Sequence, residues 1–187
     1  MYAVGLVVVL ALGIGVGTLA TVVYERGLGS SGGAGSQQTD NQQGNSSQLS
    51  ADEYISEVGE IQNRSVDAFT QSNERLLRYD SLTADDVKNI SDNYGALSDL
   101  GERVKNLNPP DEYESQYGLL SSAVSELYQA TGIAYRVTND PVSTTVEDFE
   151  AYNEHIDSAT TSLQQSNAIL GQNFSTTEGA PRPRTRI

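Results

Sequence analysis

The sequence predicts an all-α protein, an antiparallel up-down-up-down four-helix bundle after a single N-terminal transmembrane helix. Three observations predict it. Residues 2–24 form an apolar run without a charge, and such a run is long enough to cross a membrane. Residues 50–174 place apolar side chains every three or four positions in four successive stretches, which is the helical period. The connections between these stretches are short, so neighbouring helices are expected to run antiparallel.

Residues 1–26 are predicted to be a membrane anchor. As a helix, the run "YAVGLVVVLALGIGVGTLATVVY" from Tyr2 to Tyr24 would be about 34 Å long, against a hydrocarbon core of about 30 Å. No basic residue precedes the run, which favours an uncleaved anchor over the alternative, a cleaved signal peptide. Gly13, Gly17 and Thr21 have the small-residue spacing of closely packed membrane helices. This spacing would allow two anchors to pair, but it does not establish dimerisation, so the oligomeric state stays open.

The bundle is predicted to lie on the extracytoplasmic side of the cell membrane, as part of a single-pass protein. The polar segment after the anchor, the lack of cysteine and the Asn/Ser/Thr-rich domain are typical of exported proteins. Arg26 is the one observation against this orientation, because basic residues tend to remain on the cytoplasmic side. Membrane contact is expected through residues 2–24.

Two segments without helical periodicity flank the predicted bundle. Residues 27–49 are predicted to be a flexible linker, since they contain the run "GLGSSGGAGSQQTDNQQGNSSQ". Residues 175–187, "STTEGAPRPRTRI", are predicted to be a disordered Arg/Pro tail. Three of the nine arginines lie in this tail, so contact with an anionic polymer, lipid head groups or the acidic bundle is the alternative to a solvated end.

The four helices are predicted over residues 51–79, 84–107, 111–138 and 145–171, each with one stripe of core positions. Near-heptad stripes predict helices packed at about 20° to one another. In chain order the stripes are Tyr54, Val58, Ile61, Ser65, Ala68, Ser72, Leu76 and Tyr79; Val87, Ile90, Tyr94, Leu97, Gly101, Val104 and Leu107; Tyr113, Tyr117, Leu120, Val124, Leu127, Thr131, Ala134 and Thr138; and Phe149, Tyr152, Ile156, Ala159, Leu163, Ser166 and Leu170.

Capping residues and prolines mark the helix boundaries. Ser50, Thr83 and Thr144 are each followed three residues later by an acidic residue, the spacing of a capping box at a helix start. Pro109 and Pro110, in "LNPPDEYE", are expected to stop the second helix, because each disfavours helical conformation in the residue before it. Pro110 is expected to lie in the first turn of the third helix.

This middle turn and the "YGLLSSAVSELYQA" after it resemble a group of small bacterial envelope proteins. In that group a lipoprotein or single-helix anchor carries a helical bundle with the pattern L-x-x-P-x-E-Y-x-x-x-H-x-x-L at its middle turn. The resemblance covers roughly residues 51–174, implies a helical bundle in the envelope, and brings no catalytic residues. The matching positions are Leu107, Pro110, Glu112, Tyr113 and Leu120, with Tyr117 where histidine is frequent.

The sequence predicts no catalytic, cofactor-binding or metal-binding residues, no cofactor, and no enzyme activity. His155 is the only histidine and is predicted to border the bundle seam beside Ile156. Di-iron bundles require Glu-x-x-His pairs and covalently attached haem a Cys-x-x-Cys-His motif, and the chain has neither. A net charge of −14 and a pI near 4.2 argue against nucleic acid as a partner, because its phosphates would be repelled.

Ten tyrosines against three phenylalanines are interpreted as core-edge residues with the ring inside and the hydroxyl in water. The alternative is a tyrosine-lined binding face for a protein, glycan or peptide. The predicted function is a structural or interaction role in the cell envelope, with an envelope protein or a cell-wall polymer as partner. A ligand-sensing module resembling the four-helix sensor domains of chemoreceptors is the alternative. Such sensors normally continue into a second membrane helix, whereas residues 175–187 are polar.

Overall fold

The structure is a computed structural model that describes residues 48–183, and over this range the chain is all-α, as predicted. Four helices are present in these residues, with no strand: α1 Ala51–Leu76, α2 Ala84–Lys105, α3 Glu114–Asn139 and α4 Val146–Leu170. Short 3-10 turns lie in the three connections, at Tyr79–Ser81, Asp111–Tyr113 and Pro141–Ser143.

The predicted anchor, residues 1–26, and nearly all of the predicted linker, residues 27–49, lie outside the described residues. Among residues 48–183, no helix has both the length and the apolar character that a membrane span requires.

Successive helices alternate in direction. Arg103, in the last turn of α2, binds Glu57 near the start of α1 at 2.5 Å. Arg136, in the last turn of α3, binds Asp148 in the first turn of α4 at 2.7 Å. Both pairs join the end of one helix to the beginning of its neighbour, so each pair of helices is antiparallel.

α3 is the central helix, because it packs against α1, α2 and α4. Both α1 and α3 contain small buried residues, such as Ser65 and Ala68 on α1 and Ala123 and Ala130 on α3. α1 and α4 stand further apart and meet through long side chains, for example where the Tyr152 hydroxyl donates to Asn73 Oδ1 at 2.9 Å.

An extended segment fills the space between α1 and α4. α4 ends at Leu170, and Gly171, with φ of 61°, turns the chain back in the left-handed conformation that glycine tolerates. Residues 172–183, called the strap below, then run back along α4, and Thr177 within it is only 2% exposed. The structure thus differs from the predicted disordered tail over residues 175–183; residues 184–187 lie outside the described range.

Two of the three predicted capping boxes, those that begin α1 and α2, are confirmed. The third lies one residue later than predicted, at Thr145 and Asp148, where the Thr145 N–H donates to Asp148 Oδ2 at 2.9 Å. Thr144 is still part of the preceding turn, because its N–H donates to Pro141 O. The helix start therefore moves to Val146.

The proline corner also differs in detail from the prediction. Pro110 has φ of −58° and ψ of 147°, so it is extended and precedes a 3-10 turn instead of entering the first turn of α3. The corner binds the chain that leads into α1: Gln48 Nε2 donates to Pro109 O and to Asp111 Oδ1, both at 2.9 Å. Residues 48 and 49 therefore belong to the bundle and not to the linker.

Replacing Gly59 with alanine is expected to loosen the strap. A Cβ on Gly59 would lie 2.8 Å from two ring carbons of Phe174, so the ring would have to move away. Gly95→Ala on α2 is the control, because a Cβ there meets no atom within 4 Å and such a change stabilises a helix by about 0.5–1 kcal/mol. In urea unfolding, we expect Gly59→Ala to be roughly 1 kcal/mol less stable than Gly95→Ala. An equal increase in the free energy of unfolding for Gly59→Ala and Gly95→Ala would contradict the close packing of Phe174 on Gly59.

Replacing Asp148 with alanine is expected to destabilise the protein at neutral pH but not in acid. Its bonds to Arg136 and to Thr145 lower the pKa of Asp148 from 3.8 to about 2. Because the pKa of this carboxyl is lower in the folded chain than in the unfolded chain, its ionised form stabilises the fold. This stabilisation is complete above the unfolded-state pKa and is lost as the pH falls to the folded-state pKa. We expect a loss of about 1 kcal/mol at neutral pH from the cap and the ion pair.

Chemical unfolding of the native chain and of Asp148→Ala should therefore converge between about pH 4 and pH 2. Glu150→Ala, at an exposed position on the same helix, serves as the control and should keep the pH profile of the native chain. If the difference in free energy of unfolding between Asp148→Ala and the native chain stayed constant across this pH range, the lowered pKa of Asp148 would be contradicted.

Candidate interaction surfaces

The lone histidine lies at the edge of the seam between α3 and α4. His155 Nδ1 is 2.6 Å from Glu126 Oε2, and about a quarter of each side chain is exposed. Within residues 48–183, no three His, Cys, Asp or Glu side chains come together in a way that could hold a metal ion. The contact between His155 and Glu126 links α3 and α4.

Two tyrosines differ from the predicted core-edge position. Tyr54 and Tyr152 are fully buried, and their hydroxyls donate to Gln116 Oε1 and to Asn73 Oδ1. Gln116 Nε2 in turn donates to Ser166 Oγ at 2.8 Å. Buried polar groups need such partners, so side-chain amides in the core take the place of water for these two hydroxyls.

Three other tyrosines form a stacked surface on α2 and α3, called the tyrosine face below: Tyr94, Tyr128 and Tyr135. The ring of Tyr94 lies between the other two, with centroid distances of 4.5 Å to Tyr128 and 5.7 Å to Tyr135. Gly132 makes room for this stack, since a Cβ there would lie 3.0 Å from Tyr94 Cε2. The three tyrosines are half-buried, so part of each side chain is open to solvent.

A groove of about 400 Å³ continues from the tyrosine face between α2 and α3. Leu97, Gly101, Val124 and Tyr128 are among its lining residues, and Lys105 at its edge is paired with Glu102 at 2.7 Å. Three serines also line the groove, so it offers both apolar and polar groups, as protein interaction surfaces do. Hydrogen bonding to Tyr128 raises the pKa of Tyr94.

The groove between α1 and α4 is a second surface, and the strap occupies it. Buried amides of both helices bind the main chain of the strap. The contacts are Gln62 Nε2 to Ser175 O at 2.8 Å, Asn167 Nδ2 to Phe174 O at 2.9 Å, and Asn73 Nδ2 to Pro181 O at 3.0 Å. Main-chain contacts of this kind give affinity for an extended peptide, and contacts with its side chains give specificity.

Side chains of the strap add further contacts along the same groove. Thr177 Oγ1 is 2.6 Å from Thr160 Oγ1, and Arg182 Nη2 donates to Asp157 Oδ1 at 2.5 Å. The strap is thus bound along its length from Phe174 to Arg182.

A single stripe of core positions was predicted on the first helix, so this groove was missed, although the sequence contains a signal for it. Gly59, Gln62, Val66, Phe69 and Asn73 are all buried and are spaced by three or four residues, so α1 carries a second stripe. A helix with two buried stripes needs a second partner, and here that partner is the strap.

No family model, curated protein or solved structure matches the chain.

Alkaline pH is expected to unfold the bundle through its two buried tyrosines. Burial raises the pKa of Tyr54 and of Tyr152 above the ordinary value of 10. The unfolded chain then releases protons first, so stability is intact below about pH 10 and lost as pH rises above it. Absorbance of tyrosinate should show two tyrosines that ionise only as the helical circular dichroism is lost.

Tyr152→Phe is expected to reduce that late phase by one tyrosine. Tyr128→Phe, on the tyrosine face, is the control and should leave the late phase unchanged. Ionisation of every tyrosine before any loss of helix would contradict the burial of these two rings.

Proposed function

We propose that this protein is a membrane-anchored interaction module of the cell envelope. In this proposal residues 2–24 cross the membrane, and the bundle lies on the extracytoplasmic side, where it binds an envelope protein or a cell-wall polymer. The observation that carries the proposal is the tyrosine face with its adjoining groove, because stacked rings beside a groove offer contact area to a partner.

The position of the N-terminal entry supports a tethered arrangement. The start of α1, the proline corner and the end of α4 lie at one end of the bundle, and Leu49 N–H donates to Asn108 O at 3.2 Å there. The chain ahead of residue 48 therefore joins the bundle at a fixed point. The tyrosine face lies on α2 and α3, along the length of the bundle.

The chemistry of the face favours a protein or glycan partner. Tyrosine rings supply large rigid contact areas with little loss of side-chain entropy, and their hydroxyls form hydrogen bonds with peptides or sugars. The chain as a whole is acidic, with a net charge of −14. A polyanion would be repelled by that charge, so a neutral or basic partner is favoured.

Labelling of an introduced cysteine tests the topology. The chain contains no cysteine, and Val142 is 94% exposed in the turn before α4, so Val142→Cys provides a single reactive thiol. We expect a membrane-impermeant maleimide to label this variant on intact cells, with a cytoplasmic thiol protein unlabelled as the control. Labelling only after permeabilisation would place the bundle inside and end the envelope proposal.

Site-specific photo-cross-linking tests the interaction surface in the same cells. A cross-linker replaces Ser98, which lines the groove beside the tyrosine face, or Ser158, an exposed position on α4, as the matched control. We expect a defined envelope adduct from position 98 only. Tyr94→Ala, which removes the central ring of the stack, should reduce this adduct by about tenfold, as for loss of an interface tyrosine. Equal adducts from both positions would contradict the assigned surface.

A further inference from the structure

The strap is held in its groove by polar and apolar contacts. Gln62, Asn73 and Asn167 bind its main chain, and Phe174 and Ala180 pack against the core. An empty groove would expose apolar surface as well as polar groups, so occupancy by a strap is favoured.

The closed groove also leaves polar atoms without partners. Gln62 Oε1 and Arg182 Nη1 are buried, and neither has a hydrogen-bond partner among the described residues. Buried unsatisfied groups oppose the closed state. The strap is therefore held by specific contacts but with an incomplete set of hydrogen bonds.

Gly171 provides the hinge for such an exchange. It is the residue with φ of 61° that ends α4, and the connection from it to the first strap contact at Phe174 consists only of Gln172 and Asn173. Rotation at this point redirects the strap while α4 stays intact. Every strap contact is then equally available to a strap from another molecule.

We propose that the groove between α1 and α4 is an extended-peptide binding site, and that the strap of a second copy of this chain occupies it in trans. The complementarity to this occupant is specific: the Phe174 ring fills the space left by Gly59, Thr177 meets Thr160, and Arg182 meets Asp157. At low density the strap of the same molecule occupies the groove, because a short connection gives it a millimolar effective concentration. At a high local density of the protein, a larger share of the grooves binds the strap of a neighbouring molecule, and the two molecules are then linked.

Cysteine cross-linking between two full-length copies tests this proposal. The Ser175 N–H donates to Asn63 Oδ1 at 3.0 Å, so Asn63→Cys in one tagged copy and Ser175→Cys in a second, differently tagged copy report a strap bound in trans. The chain has no native cysteine, and therefore each mixed disulfide identifies the two positions. One chain that carries both substitutions reports the strap bound in cis.

A substitution at Gly171 should shift the strap from its own groove to the groove of a second copy. Proline cannot adopt a positive φ, so Gly171→Pro in the Ser175→Cys copy prevents the turn that places the strap in its own groove. We expect the yield of mixed disulfide to rise by about tenfold or more, as the competing intramolecular contact is lost. Deletion of Gln172 and Asn173, a second hinge variant that leaves α4 unchanged, should give the same rise.

Two controls decide whether the disulfide reports the groove. Ser98→Cys on α2, far from the strap, replaces Asn63→Cys and should give no rise. Gly59→Val in the acceptor copy blocks the position of the Phe174 ring and should abolish the product, with circular dichroism to verify that the acceptor is folded. The proposal is overturned if neither hinge variant increases the product above the Ser98→Cys control, or if a folded Gly59→Val acceptor reacts as well as the native groove.

Discussion

The close approach of α1 to α3 is the constraint on which the rest of this structure depends. In a bundle of square cross-section each helix contacts two neighbours, but here α3 packs against α1, α2 and α4. α1 and α4 stand further apart and meet through long side chains such as Phe69 and Tyr152, whose ring centroids are 6.2 Å apart, which leaves a gap beside these contacts. The fold consequently needs an additional segment in that gap, and residues 172–183 fill it.

That gap also explains why the core contains amides. Long side chains that reach across it, such as Gln62, Asn73 and Asn167, carry polar groups that must be satisfied inside the protein. Main-chain carbonyls of the strap supply most of the acceptors, and the Tyr152 hydroxyl uses a remaining amide oxygen. The same residues thus fix the spacing of α1 and α4 and bind the peptide between them.

The sequence predicted the helices well because their signals are local. Every stripe position of α4 from Phe149 to Leu170 is buried, and two of three capping boxes lie where predicted. Pro110 and Thr145 differ because 3-10 turns, which have weak sequence signals, decide the register at helix starts. The strap was missed since its order depends on contacts about 110 residues apart in sequence, such as Asn73 with Pro181. The sequence suggested that tyrosines could form a binding face, but it did not predict that the ring of Tyr94 stacks on Tyr128 and Tyr135.

The anchoring of Gln48 on the proline corner has a mechanical consequence. A pulling force on the chain ahead of α1 would not act on the first turn of that helix alone, because Gln48 and Leu49 are bonded to Pro109, Asp111 and Asn108. The load divides between α1 and the rigid loop that joins α2 to α3, so the bundle resists peeling from its N-terminus. Tension is carried first by a few hydrogen bonds at one end, and these can break and re-form without loss of the helical core.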